Sequence, residues 1–298
     1  MDEFKDLFKN IVFQPQKAFR EGPRVWVVGG ELDEKKAVFK TPFGKDKKHE
    51  PTLLDEHLRR EAVFLKESPD YLSLHLPALY NSGFWEGRFW YLIEWINPGK
   101  PQSSESSDFL MLDTFFTPGN LEWVLGVLGG LRRFSSELSN DLRADFTKTA
   151  YELSSYRQLL EPQGRKFFEK EVWEKITGFL ERAEPVYNRL NKTTVTHHEF
   201  YGSQILSSNA SFKLADWENV GWGHPLRDFT NLWIRAFRHP DWQEEFLAGF
   251  RARVGLEESD FETLFGVEKI LQNFGNLGLP VLKGEKFFRN CILETIKE

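Results

Sequence analysis

The sequence has one cysteine, Cys291, in 298 residues, so it forms no disulfide within the chain and supplies no cysteine-rich zinc module. No run approaches the roughly 18 apolar residues of a membrane-spanning helix. The first ten residues, MDEFKDLFKN, are amphipathic and acidic, a pattern that predicts neither a span nor a secretory signal. A basic excess is also missing: 39 Lys+Arg stand against 45 Asp+Glu, a net charge of −6. That argues against a nucleic-acid partner held by a general basic surface. The triplets Asn191-Lys192-Thr193 and Asn209-Ala210-Ser211 match glycosylation sequons but carry little weight without an export signal. The expectation is a cytoplasmic protein with no membrane and no nucleic-acid partner.

Several catalytic signatures are absent too. There is no G-x-x-x-x-G-K-[ST] loop for phosphate and no G-x-G-x-x-G after a strand. His198-Glu199 begins like a zinc-protease helix, but Gly202 stands where the second His is needed. No G-x-S-x-G elbow marks a serine hydrolase.

What is present is a well-filled globular composition, 40% hydrophobic and 15% aromatic, which excludes a disordered tail, a collagen and a coiled coil. The charge is uneven. Residues 1–100 balance 16 basic against 16 acidic groups, so the whole excess of −6 falls in the remainder. An acidic second part either attracts a neutral or cationic substrate or is a solvated surface.

The first hundred residues read as strand-rich with one helix. Arg24-Val25-Trp26-Val27-Val28 and Lys36-Ala37-Val38-Phe39-Lys40, joined by an acidic turn, predict a hairpin. Leu54, Leu58, Ala62 and Leu65 have helical spacing after Pro51-Thr52. Phe89–Ile93 predicts a buried strand, and Ser103–Ser107 a surface loop or linker. After residue 107 the period turns helical, with Leu121, Val124, Leu125, Leu128 and Leu131 on one face, and with a break expected at Pro162-Gln163-Gly164. Short strands are expected at 194–196, 204–206 and 212–215. The sum is an α+β chain of two lobes.

The chemistry concentrates in TVTHHEFYGSQILSSNASFKLADWENVGWGHPLRDFTNLW, residues 194–233. It offers a strand, a loop with His and an acid, an amide five residues on, a hairpin, an Asp-Trp-Glu, and an Asp at a helix start. Phosphoryl transfer needs few parts: a carboxylate for the attacking hydroxyl and oxygen ligands for magnesium on the nucleotide phosphates.

This stretch resembles the aminoglycoside phosphotransferase and choline-kinase-like group, small-molecule kinases of protein-kinase-like fold. Their loop reads H-G-D-x-x-x-x-N, then a strand and [IVL]-[IVL]-D-[WF]-E, then D-x-x-x-D. Here His197 matches the His, Glu199 stands for the catalytic Asp, and Gln204 stands for the Asn. Leu214–Glu218 matches the metal motif, with Asp216 as its Asp. His224 replaces the first Asp of the last segment, and Asp228 matches the second.

The resemblance implies a bilobal fold with a β-rich nucleotide lobe at 1–96, a hinge at 97–100 and a helical lobe at 101–298, with the catalytic loop at 197–206. It implies ATP and Mg as cofactors, and a small-molecule acceptor whose identity the sequence leaves open. Lys40 is then the phosphate clamp with Glu61 as its ion-pair partner. The backbone of Glu94 and Ile96 meets adenine, and Asp216 and Gln204 are metal ligands. Glu199 is the base, with His197 and Asp228 bracing the loop. Phe19–Arg24 takes the place of the phosphate-covering turn with a single glycine. Glu199 and Gln204 each add one methylene to the family's residues. Two functions therefore stay open: a phosphotransferase on a small-molecule hydroxyl, or a catalytically impaired pseudokinase that binds nucleotide or a protein partner.

Overall fold

The computed structural model describes residues 4–21, 25–42, 51–105, 107–146, 152–209, 211–277 and 284–297. Gly22, Pro23 and Arg24 of the expected phosphate-covering turn lie outside the described residues. The chain divides into two compact units: Met1–Pro101 with Gln204–Val220, and Gln102–Ser203 with Gly221–Glu298.

The first unit is built on a five-stranded antiparallel sheet. Its strands are β1 (Phe13–Glu21), β2 (Val25–Leu32), β3 (Lys35–Pro42), β4 (Leu79–Trp85) and β5 (Arg88–Glu94), in the order β1-β2-β3-β5-β4. The acidic turn between β2 and β3 places Asp33 and Glu34 at φ 47° and 66°, the doubly positive geometry that matches the twist of a two-residue hairpin. Side chains alternate across β3. Ala37 and Phe39 enter a core with Phe13, Trp26, Val28, Trp90 and Leu92, closed by helix α1 (Lys5–Asn10) through Leu7 and Phe8. Six residues are too few for a self-sustaining helix; burial of these side chains, about 1.5–3 kcal/mol each, holds α1 in place.

Lys40 points to the other face, toward α2 (Pro51–Glu67), which packs on β3 and β5 with Leu54, Leu58, Ala62 and Leu65 buried. A single turn, α3 (Asp70–Ser73), follows α2. The expectation of one helix thus missed α1 and α3, both shorter than two full turns and without a readable period. A smaller sheet completes the unit, in the order β11-β10-β6, from β6 (Pro98–Pro101), β10 (Ile205–Ser208) and β11 (Phe212–Leu214).

The second unit is mainly helical. It holds α4 (Pro118–Glu137), α5 (Asn140–Asp145), α6 (Leu153–Phe167), α7 (Lys170–Leu190), α8 (Leu226–Arg235), α9 (Pro240–Val254), α10 (Glu258–Asn276) and α11 (Gly284–Thr295). Thr117 caps α4 by accepting from the Asn120 N–H at 3.3 Å, with Pro118 at the first helical position, as helix starts favour.

Two expectations are corrected here. Ser103, Ser104 and Ser107 are strand residues and not part of a surface loop or linker: β7 (Ser103–Ser104) pairs with β8 (Ser107–Met111), and Gln102 is fixed by its N–H to Gly202 O at 2.8 Å. Pro162-Gln163-Gly164 does not break the chain but lies inside α6. Gly164 serves packing rather than turning, since a Cβ there would lie 2.4 Å from the Trp173 ring. The remaining pair, β9 (Thr194–Thr196) with β12 (Gly221–Gly223), frames the His-rich loop.

Candidate active site

Three segments of the first unit meet at Lys40. Its Nζ lies 3.3 Å from both carboxylate oxygens of Glu61 on α2 and 3.1 Å from Asp216 Oδ1 after β11. Glu61 is fully buried, whereas the Asp216 side chain is 37% exposed, so one carboxylate braces the lysine and the other remains open to a ligand. Burial alone would lower the Lys40 pKa, but Glu61 and then Asp216 hold it above its ordinary value. Burial pushes Glu61 up, with the Lys40 ammonium pulling the other way.

Two further residues join the cluster that sequence reading passed over. The Tyr91 ring lies 5.8 Å from Lys40 Nζ, and the Glu218 carboxylate adds to the field at Lys40. Tyr91 carries a readable signal, because register pairs it with Lys40 across β3 and β5. Glu218 is the last residue of the Asp-Trp-Glu itself.

Local geometry explains how Asp216 is presented. Leu214 N–H donates to His75 O at 2.8 Å and Ala215 N–H to Gln204 O at 2.9 Å, so the strand end is held from both sides. Asp216 itself takes φ 63°, ψ 60°. That left-handed conformation is uncommon outside glycine, is tolerated by Asp, and recurs at functional sites. Behind it, Trp217 is fully buried and stacks on Phe64 of α2 at 4.2 Å between ring centres. The pairing Ile205↔Leu214 puts Gln204 opposite Ala215, so the two candidate metal ligands share one end of the β10–β11 hairpin.

Glu94 and Ile96 lie at the end of β5. The Glu94 side chain is committed elsewhere: Oε2 accepts from the Ala78 N–H at 3.2 Å and pairs with Lys213 Nζ at 3.4 Å. The Glu94 backbone N–H is also taken, donating to Ala78 O at 2.8 Å. Ile96 is buried.

The second unit holds the other candidates. Asp228, at the start of α8, takes both loop N–H groups: His197 N–H at 2.6 Å to Oδ2 and His198 N–H at 2.9 Å to Oδ1. His197 is fully buried and its Nδ1 accepts from the Glu199 N–H at 3.2 Å. His198 has φ 69°, a left-handed conformation that glycine adopts more readily, with Nε2 2.9 Å from Thr196 Oγ1. Glu199 follows directly and is half-buried. Burial raises Asp228 to about 6, against the pull of the two N–H groups and Arg227. His224 points away from this loop, to Glu268 Oε1 of α10 at 3.0 Å. Glu268, fully buried, also accepts from Arg227 at 3.1 Å and Gln272 at 2.9 Å; burial would raise it, but Arg227 and His224 hold it below the usual carboxylate range.

Among the described residues no group of three or more His, Cys, Asp or Glu is arranged to enclose a metal ion. The oxygen donors near this end of the hairpin are Asp216, Glu218 and Gln204, and the carboxylates of Glu61, Asp216 and Glu218 outnumber the one ammonium of Lys40. These donors fit a magnesium ion held by one or two carboxylates and by substrate phosphates, and do not fit an all-protein cage. No helix among the described residues is long and apolar enough to cross a membrane.

No protein-family model matches the sequence, and no curated protein does so at the sequence level. Solved structures do match. A spectinomycin phosphotransferase in complex with ADP and spectinomycin aligns with a TM-score of 0.60 at 9% identity, over 99% of this chain and 96% of that one. A choline kinase from Streptococcus pneumoniae aligns at 0.57 and 13%, over 100% and 98%. A thermostable mutant of an aminoglycoside phosphotransferase, in ternary complex with AMP-PNP and hygromycin B, aligns at 0.57 and 12%, over 100% and 98%. The chain therefore has the α+β, protein-kinase-like fold of aminoglycoside phosphotransferases and choline kinases.

Proposed function

We propose that the chain is a phosphotransferase that uses ATP with magnesium to phosphorylate a hydroxyl of a small molecule. The observation that carries this reading is the meeting of Lys40, Glu61 and Asp216, a cation pinned by one buried and one open carboxylate from distant segments. The structural neighbours whose complexes hold ADP or AMP-PNP together with an aminocyclitol or aminoglycoside support the same chemistry.

In this reading Lys40 binds the nucleotide's phosphate oxygens, held at the right height by Glu61. Backbone groups of Glu94 and Ile96 meet the base. Asp216 and Gln204 hold magnesium, which neutralises charge on the phosphate oxygens when bound. Glu199 takes the proton of the acceptor hydroxyl as that oxygen attacks the terminal phosphorus and the bond to the nucleoside diphosphate breaks. Asp228 and His197 keep the Glu199 backbone in place. The longer Glu199 and Gln204 side chains retain the carboxylate and amide of the family's shorter residues, and the pair works as a coordinated re-spacing. The acceptor is neutral or cationic, in keeping with the acid excess after residue 100.

Nucleotide at 100 times its dissociation constant stabilises a fold by about 2.7 kcal/mol. Millimolar Mg-ATP should therefore raise the melting temperature, and Asp216→Ala should lose the magnesium-dependent part. A melting temperature unmoved by Mg-ATP, with no calorimetric signal, would overturn the reading. Binding without turnover in any acceptor screen would leave the catalytically impaired alternative.

A further inference from the structure

The five residues between α3 and β4, Leu74 to Ala78, belong to no motif. Their backbone nevertheless bonds to both β5 and β11. His75 O accepts from Leu214 N at 2.8 Å, and Leu76 O from Lys213 Nζ at 2.8 Å. Ala78 O accepts from Glu94 N at 2.8 Å, and Ala78 N donates to Glu94 Oε2 at 3.2 Å. The 3.4 Å ion pair of Lys213 with Glu94 closes the circuit. At one end this linker joins α3, the single turn that follows α2, the helix that carries Glu61. Through Lys213 and Leu214 it reaches the strand end that presents Asp216 two residues on. Through Glu94 it reaches the backbone that meets the base.

We infer that Lys213 and the Glu94 side chain are positioning residues that set the distance between the base-contacting backbone and the metal-binding Asp216. The inference rests on the function proposed above. Lys213 and Glu94 are 19% and 31% exposed, so the pair is partly shielded from solvent and sits in a ring of backbone bonds that fixes its geometry. Neither group reaches the Lys40 cluster, so their effect is on spacing and not on the chemistry of any one contact. A ligand that spans both ends of the nucleotide site depends on that spacing. A ligand that occupies one end does not.

This difference supplies the test. Thermal shifts of the full chain with Mg-ATP, with adenosine alone and with Mg-tripolyphosphate alone give three affinities for wild type, Lys213→Met, Lys213→Arg and Glu94→Gln. Lys213→Met and Glu94→Gln should each weaken Mg-ATP about five-fold, the equivalent of a pair worth about 1 kcal/mol, and leave adenosine and tripolyphosphate within about two-fold. The double variant should be no worse than either single, and Lys213→Arg should recover most of the loss. Equal weakening of all three ligands, or no weakening of Mg-ATP, overturns the positioning role while leaving the phosphotransferase reading intact. A wild type that binds none of the three overturns both.

Discussion

Replacing Lys40 with Met tests the arrangement at the centre of the first unit. The substitution keeps the length of the stem and removes the ammonium from between two carboxylates. Asp216 is 37% exposed and can be hydrated, so its loss of a partner costs little. Glu61 is fully buried and cannot be. Breaking a buried pair by removing one partner costs about 3–5 kcal/mol, unless the orphaned carboxyl takes up a proton. Burial already raises the Glu61 pKa with Lys40 present, and without the lysine it rises further. A carboxyl whose folded pKa exceeds its unfolded value contributes stability that is fully present below the unfolded value and lost as pH rises through the folded one. The deficit of Lys40→Met should therefore be small near pH 4.5 and approach about 3–5 kcal/mol above neutrality. Urea unfolding of wild type, Lys40→Met, Glu61→Met and Lys40→Met/Glu61→Met at pH 4.5, 6 and 8 reads this directly. The double variant should recover most of the loss at pH 8 and show no pH dependence of its own from this site. A single variant that loses under about 1 kcal/mol at pH 8, or a double variant as unstable as the sum of the singles, would refute the argument that Lys40 compensates a buried charge.

Three more outcomes follow from the second unit. Asp228 has a folded pKa of about 6 against an ordinary 3.8, so its contribution to stability should fall as pH rises from 4 through 6; an Asp228→Asn variant that keeps the same pH dependence in urea melts would contradict this. Glu268→Ala should cost about 3–5 kcal/mol, because it strips the carboxylate from Arg227 inside the helical core, and Glu268→Gln should cost less; an alanine variant within about 1 kcal/mol of wild type would show that the network is not balanced as described. Gly202→Ala brings a Cβ to 2.7 Å from Gln102 O, a backbone atom that cannot swing aside, and should destabilise by about 1–3 kcal/mol in calorimetry; an unchanged melting temperature would count against that contact.

Sequence alone located the parts whose signal is local. The β2–β3 hairpin, the period of α2, the apolar run of β5 and the short strands flanking the His-rich loop all depend on neighbours within a few residues. Candidates at Lys40, Glu61 and Asp216 emerged from their order along the chain, and the structure is what brings their charged atoms within 3.3 Å. Long-range partners left no trace in the pattern. Lys213 lies far along the chain from Glu94, and Glu268 is 44 residues from His224, so neither pairing could be read. Pro162 and Gly164 spell a break by local rules, yet packing of Trp173 onto Gly164 keeps the helix continuous. The serines at 103–107 look like a tether because the bonds that order Gln102 come from Gly202, on the far side of four helices in sequence.

The split membership of the first unit bears on how the protein is made. Its five-stranded sheet is finished by residue 94, but β10, β11 and Asp216 arrive only with residues 204–220. On a ribosome adding about 5–20 residues per second, the interval from Pro101 to Val220 lasts roughly 6–24 s. During it the nascent sheet has α2 in place but lacks the Trp217 ring that stacks on Phe64. Buried apolar surface awaiting its cover is where a chaperone binds or an aggregate begins. A fragment ending at Pro101 should accordingly be poorly soluble when expressed alone, and should gain order when Gln204–Val220 is joined to it through a flexible tether.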